Sequence, residues 1–383
     1  MIQRMAENKL IKLAAQFKSV AIVGPRQSGK TTLAKYLFKT KPYVSLENPD
    51  SRQFAMNDPR GFLAQFPKGA VLDEVQRVTD IFSYLQQILD EKKTPGQFIL
   101  TGSNNFLLQE NISQSLAGRI AYLYLLPFSL AELSATEEMP ASVNDALFQG
   151  GYPAIYDQPV EPVSWYHNYI STYIERDIRQ IKNISNLGAF ERVLKLCAGR
   201  TGQLLNMHNL AIEAGVDHKT VAAWLAVMES SFIIFLLKPH HRNFNKRIVK
   251  TPKLYFYDTG LACSLLGIQK PSQLTTHPLR GNLFENFVIS EMIKNRFNRN
   301  EPNNLYFWRD NTGHEIDILV DDGTSLYPVE IKSGKTITQD FFKGIFFWNK
   351  LTAQDGGSII YAGNEAQKRS SNITILPWNG VDI

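Results

Sequence analysis

Cysteine is nearly absent from this sequence. Only Cys197 and Cys263 occur among 383 residues, far apart and without a CxxC pair. Two isolated cysteines cannot build the disulfide framework of a small secreted domain. Their scarcity agrees with a reducing compartment and predicts that both thiols pack in a core.

Long apolar runs are missing as well. A run such as Phe232 to Leu237 falls far short of the ~20 residues that a membrane-spanning helix needs. The first ten residues carry Arg4, Glu7 and Lys9, where a secretory signal would have an apolar core. We therefore expect no membrane partner and a cytoplasmic location.

Charge is nearly balanced over the whole chain but uneven along it. The 41 basic and 36 acidic side chains give a net charge of +5. Residues 176–300 hold 18 basic and 8 acidic side chains, against 16 and 17 in residues 1–175 and 7 and 11 in residues 301–383. A basic segment attracts polyanions because neutralised phosphates release counterions. The middle of the chain therefore predicts a DNA partner, although a solvated surface paired with acidic neighbours would explain the same excess.

The order of sequence patterns predicts two or three domains, each with its own core. In the first half, apolar strands alternate with helical patterns, which predicts a parallel sheet covered on both faces. Two short helices, 206–214 and 219–229, flank a turn at Gly215, as in a helix-turn-helix. The apolar segments 232–237 and 253–257 then predict strands of a wing.

A glycine-rich loop follows the first apolar strand. Residues 24–31 fit the pattern G-x-x-x-x-G-K-[ST] between a strand and a helical pattern. In such a loop, backbone N–H groups surround the β-phosphate, the lysine reaches the β- and γ-phosphates, and the hydroxyl ligates Mg²⁺. The residues predicted to bind ATP are Gly24, Pro25, Arg26, Gln27, Ser28, Gly29, Lys30, Thr31 and Thr32. Thr31 is also a predicted Mg²⁺ ligand.

Two later strands end in polar side chains that suit ATP hydrolysis. Asp73 and Glu74 end the strand at 70–72, where Asp73 would hold the metal and Glu74 would act as general base on the attacking water. Ser103 and Asn104 follow the strand at 98–100, and one or the other could touch the γ-phosphate or position that water. A helix cap and an ordinary turn are the structural alternatives at these two places.

Arg119 has two open interpretations. It could contact phosphate in its own subunit or in a neighbouring one, which would make the protein a homo-oligomer. A structural salt bridge is the alternative.

The motifs occur in an order that resembles one family, the prokaryotic AAA-type ATPases that carry a C-terminal domain of unknown function. The blocks that carry the resemblance are residues 24–32, 46–50, 72–77, 100–103, 116–119, 150–153, 173–177 and 255–261. The resemblance covers nearly the whole chain. It implies ATP binding and hydrolysis with Mg²⁺ and leaves the physiological role undefined.

Carboxylates recur in the last hundred residues. Glu285 opens a helical pattern, Asp317 lies on one predicted hairpin strand, and Glu330 and Lys332 lie on the next. Strand alternation points Asp317 away from Ile316 and Ile318, and it points Glu330 and Lys332 to a shared face. We therefore expect these charged groups to converge on one side of the hairpin.

This layout is similar to that of the PD-(D/E)XK nuclease fold. The similarity implies that Asp317 and Glu330 hold a second Mg²⁺ or a Mn²⁺, that Glu285 is either a further ligand or a group that supports the ligands, and that Lys332 is catalytic. Two alternatives stay open. The charges could be an ordinary exposed hairpin face, or the fold could bind DNA without cutting it.

The sequence therefore predicts an α/β protein with three domains. They are a P-loop AAA-type parallel-sheet domain over residues 1–165, a helical and winged-helix-like domain over 166–279 and a small α/β nuclease-like domain over 280–383. The predicted function is an ATP-hydrolysing switch or motor coupled to a domain that engages DNA and could cleave it. An ATP-dependent binding regulator that cuts nothing is the first alternative. An ATPase whose basic middle contacts only neighbouring subunits is the second.

Overall fold

A computed structural model describes residues 2–92, 94–103, 116–173, 186–241 and 249–381. The chain divides into two compact units. The first unit contains residues 1–128, 230–232 and 296–302, and the second contains 129–229, 233–295 and 303–383. Residues 129–165, which the sequence-based division places in the first domain, thus lie in the second unit. In the part of the chain that is described, no helix has the length and apolar character to cross a membrane.

The first unit is built on a five-stranded parallel sheet. Its strands are β1 (Ser19–Val23), β2 (Tyr43–Ser45), β3 (Val71–Asp73), β4 (Phe98–Gly102) and β5 (Ile120–Tyr124). Its helices are α1 (Glu7–Gln16), α2 (Lys30–Leu37), α3 (Pro49–Asn57), α4 (Pro59–Ala64) and α5 (Ile81–Glu91), with a 3₁₀ turn at Val75–Arg77. All five residues of β1 and of β4 are buried, as expected for strands covered on both faces. The predicted parallel sheet is therefore confirmed.

The strand order places the predicted ATP-binding motifs side by side. The order is β2-β3-β4-β1-β5, and every pairing is parallel. Since parallel strands end at one edge, the segments after β1, β3 and β4 meet there, with β4 in the middle. A core of Leu10, Leu33, Val20, Ile22 and Val71, among others, fixes the helices against this sheet.

The second unit contains two further sheets. Strands β6 (Gln203–Leu204), β7 (Ile234–Leu237) and β8 (Lys253–Phe256) form a three-stranded antiparallel sheet in the order β6-β8-β7. Strands β9 (Leu305–Arg309), β10 (Glu315–Asp321), β11 (Leu326–Lys332), β12 (Gly357–Tyr361), β13 (Gln367–Lys368) and β14 (Ile373–Pro377) form a mixed sheet in the order β13-β14-β12-β11-β10-β9. The hairpin predicted near residues 315–332 is β10 and β11, which pair antiparallel.

Ten described helices follow β5 along the chain. They are α6 (Leu130–Leu133), α7 (Val143–Gln149), α8 (Pro153–Asp157), α9 (Pro162–Thr172), α10 (Leu187–Ala198), α11 (Met207–Ala214), α12 (His218–Ser230), α13 (Thr259–Leu265), α14 (Arg280–Asn298) and α15 (Lys343–Thr352). Further 3₁₀ turns lie at Pro271–Thr275 and Gln339–Phe342. Asn206 caps α11 by accepting a hydrogen bond from the Asn209 amide at 3.0 Å, and Gly215 ends that helix in the left-handed conformation. The helix pair expected around Gly215 is thus present, directly before β7.

Candidate functional site

The loop after β1 packs tightly around a buried lysine. Lys30 begins α2, is 5% exposed, and donates hydrogen bonds from Nζ to the carbonyl oxygens of Gly24 (3.0 Å) and Pro25 (2.5 Å). Gln27 has φ 60°, a left-handed conformation that is strained for a residue with a side chain. The Ser28 hydroxyl is buried without a hydrogen-bond partner among the described residues. This loop therefore keeps the buried Ser28 hydroxyl unsatisfied.

Arg4, which lies outside the motif, holds the loop in place through hydrogen bonds to backbone carbonyls. Its Nη1 donates to the Ser28 carbonyl at 2.8 Å, and its Nη2 donates to the Leu126 carbonyl at 2.7 Å. The guanidinium lies 4.8 Å from the ring centre of Phe128, and Arg4 is 5% exposed. No motif identifies this residue, because its role depends on contacts with residues 24 and 122 positions further along the chain.

Asp73, at the end of β3, accepts hydrogen bonds from three hydroxyl groups. Thr31 Oγ1 lies 3.0 and 3.2 Å from its two carboxylate oxygens, and Tyr43 Oη lies 2.7 Å from Oδ2. Thr101 Oγ1 makes a close hydrogen bond to Oδ1. Burial and the neighbouring Asp73 carboxylate raise the pKa of Tyr43. Sequence reasoning paired Thr31 with Asp73 but missed Tyr43 and Thr101.

Glu74 lies next to Asp73 at the same edge. It has φ 53°, again a strained conformation for a residue with a side chain. Its Oε2 accepts hydrogen bonds from Gln76 Nε2 at 2.5 Å and from Ser103 Oγ at 3.3 Å. The structure therefore brings Ser103 and Glu74 together, as the shared sheet edge predicts. Asn104 lies outside the described residues.

Arg119 lies where the parallel strands begin, at the edge of the sheet opposite the one that carries Lys30 and Asp73. It directly precedes β5, whose first residue pairs with Ser19 at the start of β1, whereas Lys30 follows the end of β1. Its guanidinium forms a bidentate ion pair with Asp90, in which Nε lies 2.6 Å from Oδ1 and Nη2 lies 2.9 Å from Oδ2. The length of β1 therefore separates Arg119 from the loop of its own subunit. The structural salt bridge, given above as the alternative, is present.

Charged residues of the β10–β11 hairpin converge on one face. Ile318 pairs with Val329, so Asp317 comes opposite Glu330. Lys332 Nζ makes a close ion pair with Glu330 and lies 3.8 Å from Asp317 Oδ2, which also accepts the Ile331 amide at 2.8 Å.

Glu330 is the buried member of this group. It is 3% exposed, and its Oε1 has no hydrogen-bond partner among the described residues. Gly344 of α15 packs against that oxygen so closely that a β-carbon there would clash with the carboxylate. Burial and the Asp317 charge raise the pKa of Glu330 to about 8.

Glu285, the third predicted ligand, has protein partners instead. Its Oε1 accepts hydrogen bonds from Lys253 Nζ at 3.0 Å and from Tyr255 Oη at 2.5 Å. Lys253 also makes a close ion pair with Glu315, which lies 3.2 Å from Arg309 Nη1. Sequence reasoning missed Lys253 and Tyr255, because their strand gave only the signal of a wing.

The two sites differ in how well they fit a cation. At the sheet edge, the Thr31 hydroxyl and the Asp73 carboxylate are the hard oxygen donors that Mg²⁺ prefers, and the buried Ser28 hydroxyl lacks a partner. In the second unit, the unpartnered Glu330 oxygen beside Asp317 also offers a hard donor, whereas Glu285 Oε1 already accepts hydrogen bonds from Lys253 and Tyr255. Across the described ranges, no group of three or more His, Cys, Asp or Glu side chains is arranged to hold a metal ion.

The five-stranded parallel sheet, the loop after β1 and the acidic end of β3 define a P-loop ATPase of the AAA type. Accordingly, the sequence model of an AAA domain matches residues 16–134. Two domains of unknown function, DUF8612 and DUF4143, match residues 141–272 and 280–381.

Relatives of this chain occur in bacteria and archaea. The uncharacterized protein Rv2008c of Mycobacterium tuberculosis is 31% identical over 342 residues, which cover 87% of this chain and 74% of that protein. The uncharacterized protein MJ1544 of Methanocaldococcus jannaschii is 23% identical over 354 residues, covering 83% and 75%. The chain therefore belongs to the family of Rv2008c. Among solved structures, the Walker-type ATPase PABY2304 of Pyrococcus abyssi is 15% identical with a TM-score of 0.48, covering 69% of this chain and 96% of that one.

Proposed function

We propose that the protein is an ATP-hydrolysing molecular switch whose second unit engages DNA. The observation that carries the ATPase part is the convergence of Lys30, Thr31, Asp73, Glu74 and Ser103 at one edge of the parallel sheet. The loop amides and Lys30 would bind the phosphates, and Thr31 and Asp73 would hold Mg²⁺. When bound, Mg²⁺ neutralises charge on the phosphate oxygens.

Glu74 is the residue that we assign to the attacking water. A carboxylate one position beyond the strand end can accept a proton from water, and Ser103, 3.3 Å from Glu74, would orient the same water. The strained backbone at Glu74 supports this role, since strain of this kind concentrates at functional sites.

Two variants test the ATPase assignment. Lys30→Ala should lose nucleotide affinity, because Lys30 contributes charge to the bound phosphates. Glu74→Gln should bind ATP normally and lose turnover, since general-base help is worth roughly 10²–10⁴ in rate. Nucleotide binding is measured by fluorescence titration and turnover by phosphate release. Equal ATPase rates for wild type and Glu74→Gln would remove Glu74 from the mechanism.

DNA engagement is proposed from the middle of the chain. Helices α11 and α12 meet at the Gly215 turn and lie in sequence between β6 and the strands β7 and β8 of one antiparallel sheet, an arrangement that resembles a winged helix. Lys219 on α12 is exposed, and the surrounding residues 176–300 carry the basic excess. Arg242, Lys246 and Arg247 belong to the same basic stretch of the sequence and lie outside the described residues.

A metal-dependent nuclease is the second candidate function for the second unit. It is favoured by the convergence of Asp317, Glu330 and Lys332 and by the unpartnered Glu330 oxygen. Asp317 and Glu330 would hold Mg²⁺ or Mn²⁺, and Lys332 would stabilise the charge of the attacked phosphate. The competing proposal is a regulator that binds DNA or protein in its ATP state and cuts nothing.

One assay separates these two proposals. Purified protein is incubated with linear, circular and single-stranded DNA, with Mg²⁺ or Mn²⁺, and with or without ATP. A metal-dependent product that Asp317→Ala and Lys332→Ala abolish, while ATP hydrolysis persists, supports the nuclease. No product from wild type under any condition refutes it and favours the regulator.

A subunit role for Arg119 is also proposed. Because Arg119 lies away from its own loop, a phosphate contact would have to be made in a neighbouring subunit. Light scattering with and without ATP tests whether a homo-oligomer forms, and ATPase rates of mixed Arg119→Ala and Lys30→Ala subunits test whether the arginine acts across the interface.

A further inference from the structure

Lys253 is a buried cation between two carboxylates of other elements. It lies on β8 and is 4% exposed, and its Nζ contacts Glu285 on α14 at 3.0 Å and makes a close ion pair with Glu315 on β10. Tyr255, two residues further along the same strand, donates to Glu285 at 2.5 Å. One strand of the three-stranded sheet thus supplies two donors to a carboxylate of helix α14.

These contacts satisfy the charge that a metal ion would otherwise balance. Shielding a carboxylate from water is costly unless it is paired and hydrogen-bonded, and the partly buried Glu285 has both an ammonium and a hydroxyl partner. A divalent ion beside Glu285 would lie against the Lys253 ammonium and be repelled by it. The Asp317–Glu330 half also contains an ammonium, that of Lys332, but it differs in one respect, since Glu330 Oε1 has no partner among the described residues.

We propose that the Lys253 ammonium balances the charges of Glu285 and Glu315 in place of a metal ion. Glu285 then positions Lys253 and Tyr255 through its hydrogen bonds and ligates no metal. Any divalent ion in this unit is confined to Asp317 and Glu330. The inference rests on the nuclease-like candidate only for the choice of these carboxylates, and it does not depend on ATP hydrolysis.

The test counts bound Mn²⁺ by electron paramagnetic resonance on the full chain without nucleotide. The variants are Lys253→Met, which keeps the length of the side chain without its charge, and the double variant Lys253→Met/Glu285→Gln. Lys335→Met is the matched control, because Lys335 is an exposed lysine of the same unit. Phosphate release measured in parallel reports the ATPase separately, so a failure of either proposal can be recognised.

Lys253→Met should bind one more Mn²⁺ than wild type, and its melting temperature should rise with added Mn²⁺. The double variant should lose the extra ion, and Lys335→Met should match wild type. An unchanged Mn²⁺ count in folded Lys253→Met would overturn the proposal.

The single variant Glu285→Gln in the wild-type background covers the case in which Lys253→Met does not fold. A Mn²⁺ count and affinity equal to wild type would support the assignment of Glu285 to Lys253. A lost or clearly weakened Mn²⁺ would identify Glu285 as a metal ligand and overturn it.

Discussion

Thr101→Val is the substitution that most directly tests how the ATP site is held. Thr101 lies on β4, between β1 and β3, and is fully buried. Its hydroxyl donates to Asp73 Oδ1, the carboxylate that we assign to Mg²⁺. Valine has nearly the same shape and also favours a strand, so the change removes a hydrogen bond with little change in packing.

The size of the effect follows from what Asp73 loses. A hydrogen bond to a charged group is worth about 1.5–3 kcal/mol, which corresponds to roughly tenfold to 150-fold in an equilibrium. Partners that orient metal ligands typically cost about 10–100-fold in metal affinity or activity when removed. Since Thr31 and Tyr43 still donate to Asp73, we expect the lower end of this range. The Mg²⁺ concentration for half-maximal ATPase activity should therefore rise about tenfold.

The assay is a Mg²⁺ titration of phosphate release at saturating ATP. Thr101→Ser keeps the hydroxyl and should behave like wild type, which separates the hydrogen bond from any packing effect. A melting curve checks that both variants are folded. If Thr101→Val reaches half-maximal activity at the same Mg²⁺ concentration as wild type, the assignment of Asp73 to the metal is wrong.

Three further predictions concern other parts of the chain. Lys219→Ala should weaken DNA binding for all sequences alike and lower the slope of log affinity against log salt by ~0.9, measured by fluorescence anisotropy; an unchanged slope would assign Lys219 to solvation. Burial raises the pKa of Glu330 from 4.5 to about 8, so the folded chain keeps a proton there that the unfolded chain loses, and stability should fall as pH rises through this window. Glu330→Gln should reduce this fall in the free energy of unfolding, measured by urea unfolding at several pH values. The same pH dependence in wild type and variant would contradict the prediction. Burial raises the pKa of Cys197 to about 12, so Ellman's reagent should modify this thiol only after unfolding, and rapid labelling of the native protein would contradict its position in the core.

Some residues of the ATP site could be predicted from sequence because they lie at the end of a strand or directly after it. Lys30 and Thr31 follow β1, and Asp73 and Glu74 end β3, so a strand pattern and adjacent polar residues are enough to find them. The convergence of these strand ends then follows from the parallel sheet. Strand alternation likewise predicts the shared face of Asp317, Glu330 and Lys332, which depends only on local periodicity.

Residues that act through distant contacts could not be predicted in this way. Tyr43 reaches Asp73 across 30 positions, and Lys253 reaches Glu285 across 32 and Glu315 across 62, between elements whose relative placement no local pattern encodes. Arg119 was ambiguous for the same reason. Its assignment required knowing that β5 starts at the sheet edge opposite the loop after β1.

The hydrogen bonds of a buried carboxylate indicate whether its motif maintains packing or is suited to chemistry. Asp258 accepts hydrogen bonds from the amides of Gly151 (2.7 Å) and Leu261 (3.0 Å) and from Tyr166 Oη (2.6 Å). A β-carbon at Gly150 would clash with both Asp258 and Tyr166, so the motifs at 150–153 and 255–261 interlock. A carboxylate with this many donors is stabilised in place, and these two motifs are explained by structure alone.

Glu330 lies at the other extreme, since its buried Oε1 is unpartnered in the described part of the chain. A buried carboxyl oxygen without a hydrogen bond costs stability, and for that reason the Asp317–Glu330 pair is the better place to look for a ligand of the second unit.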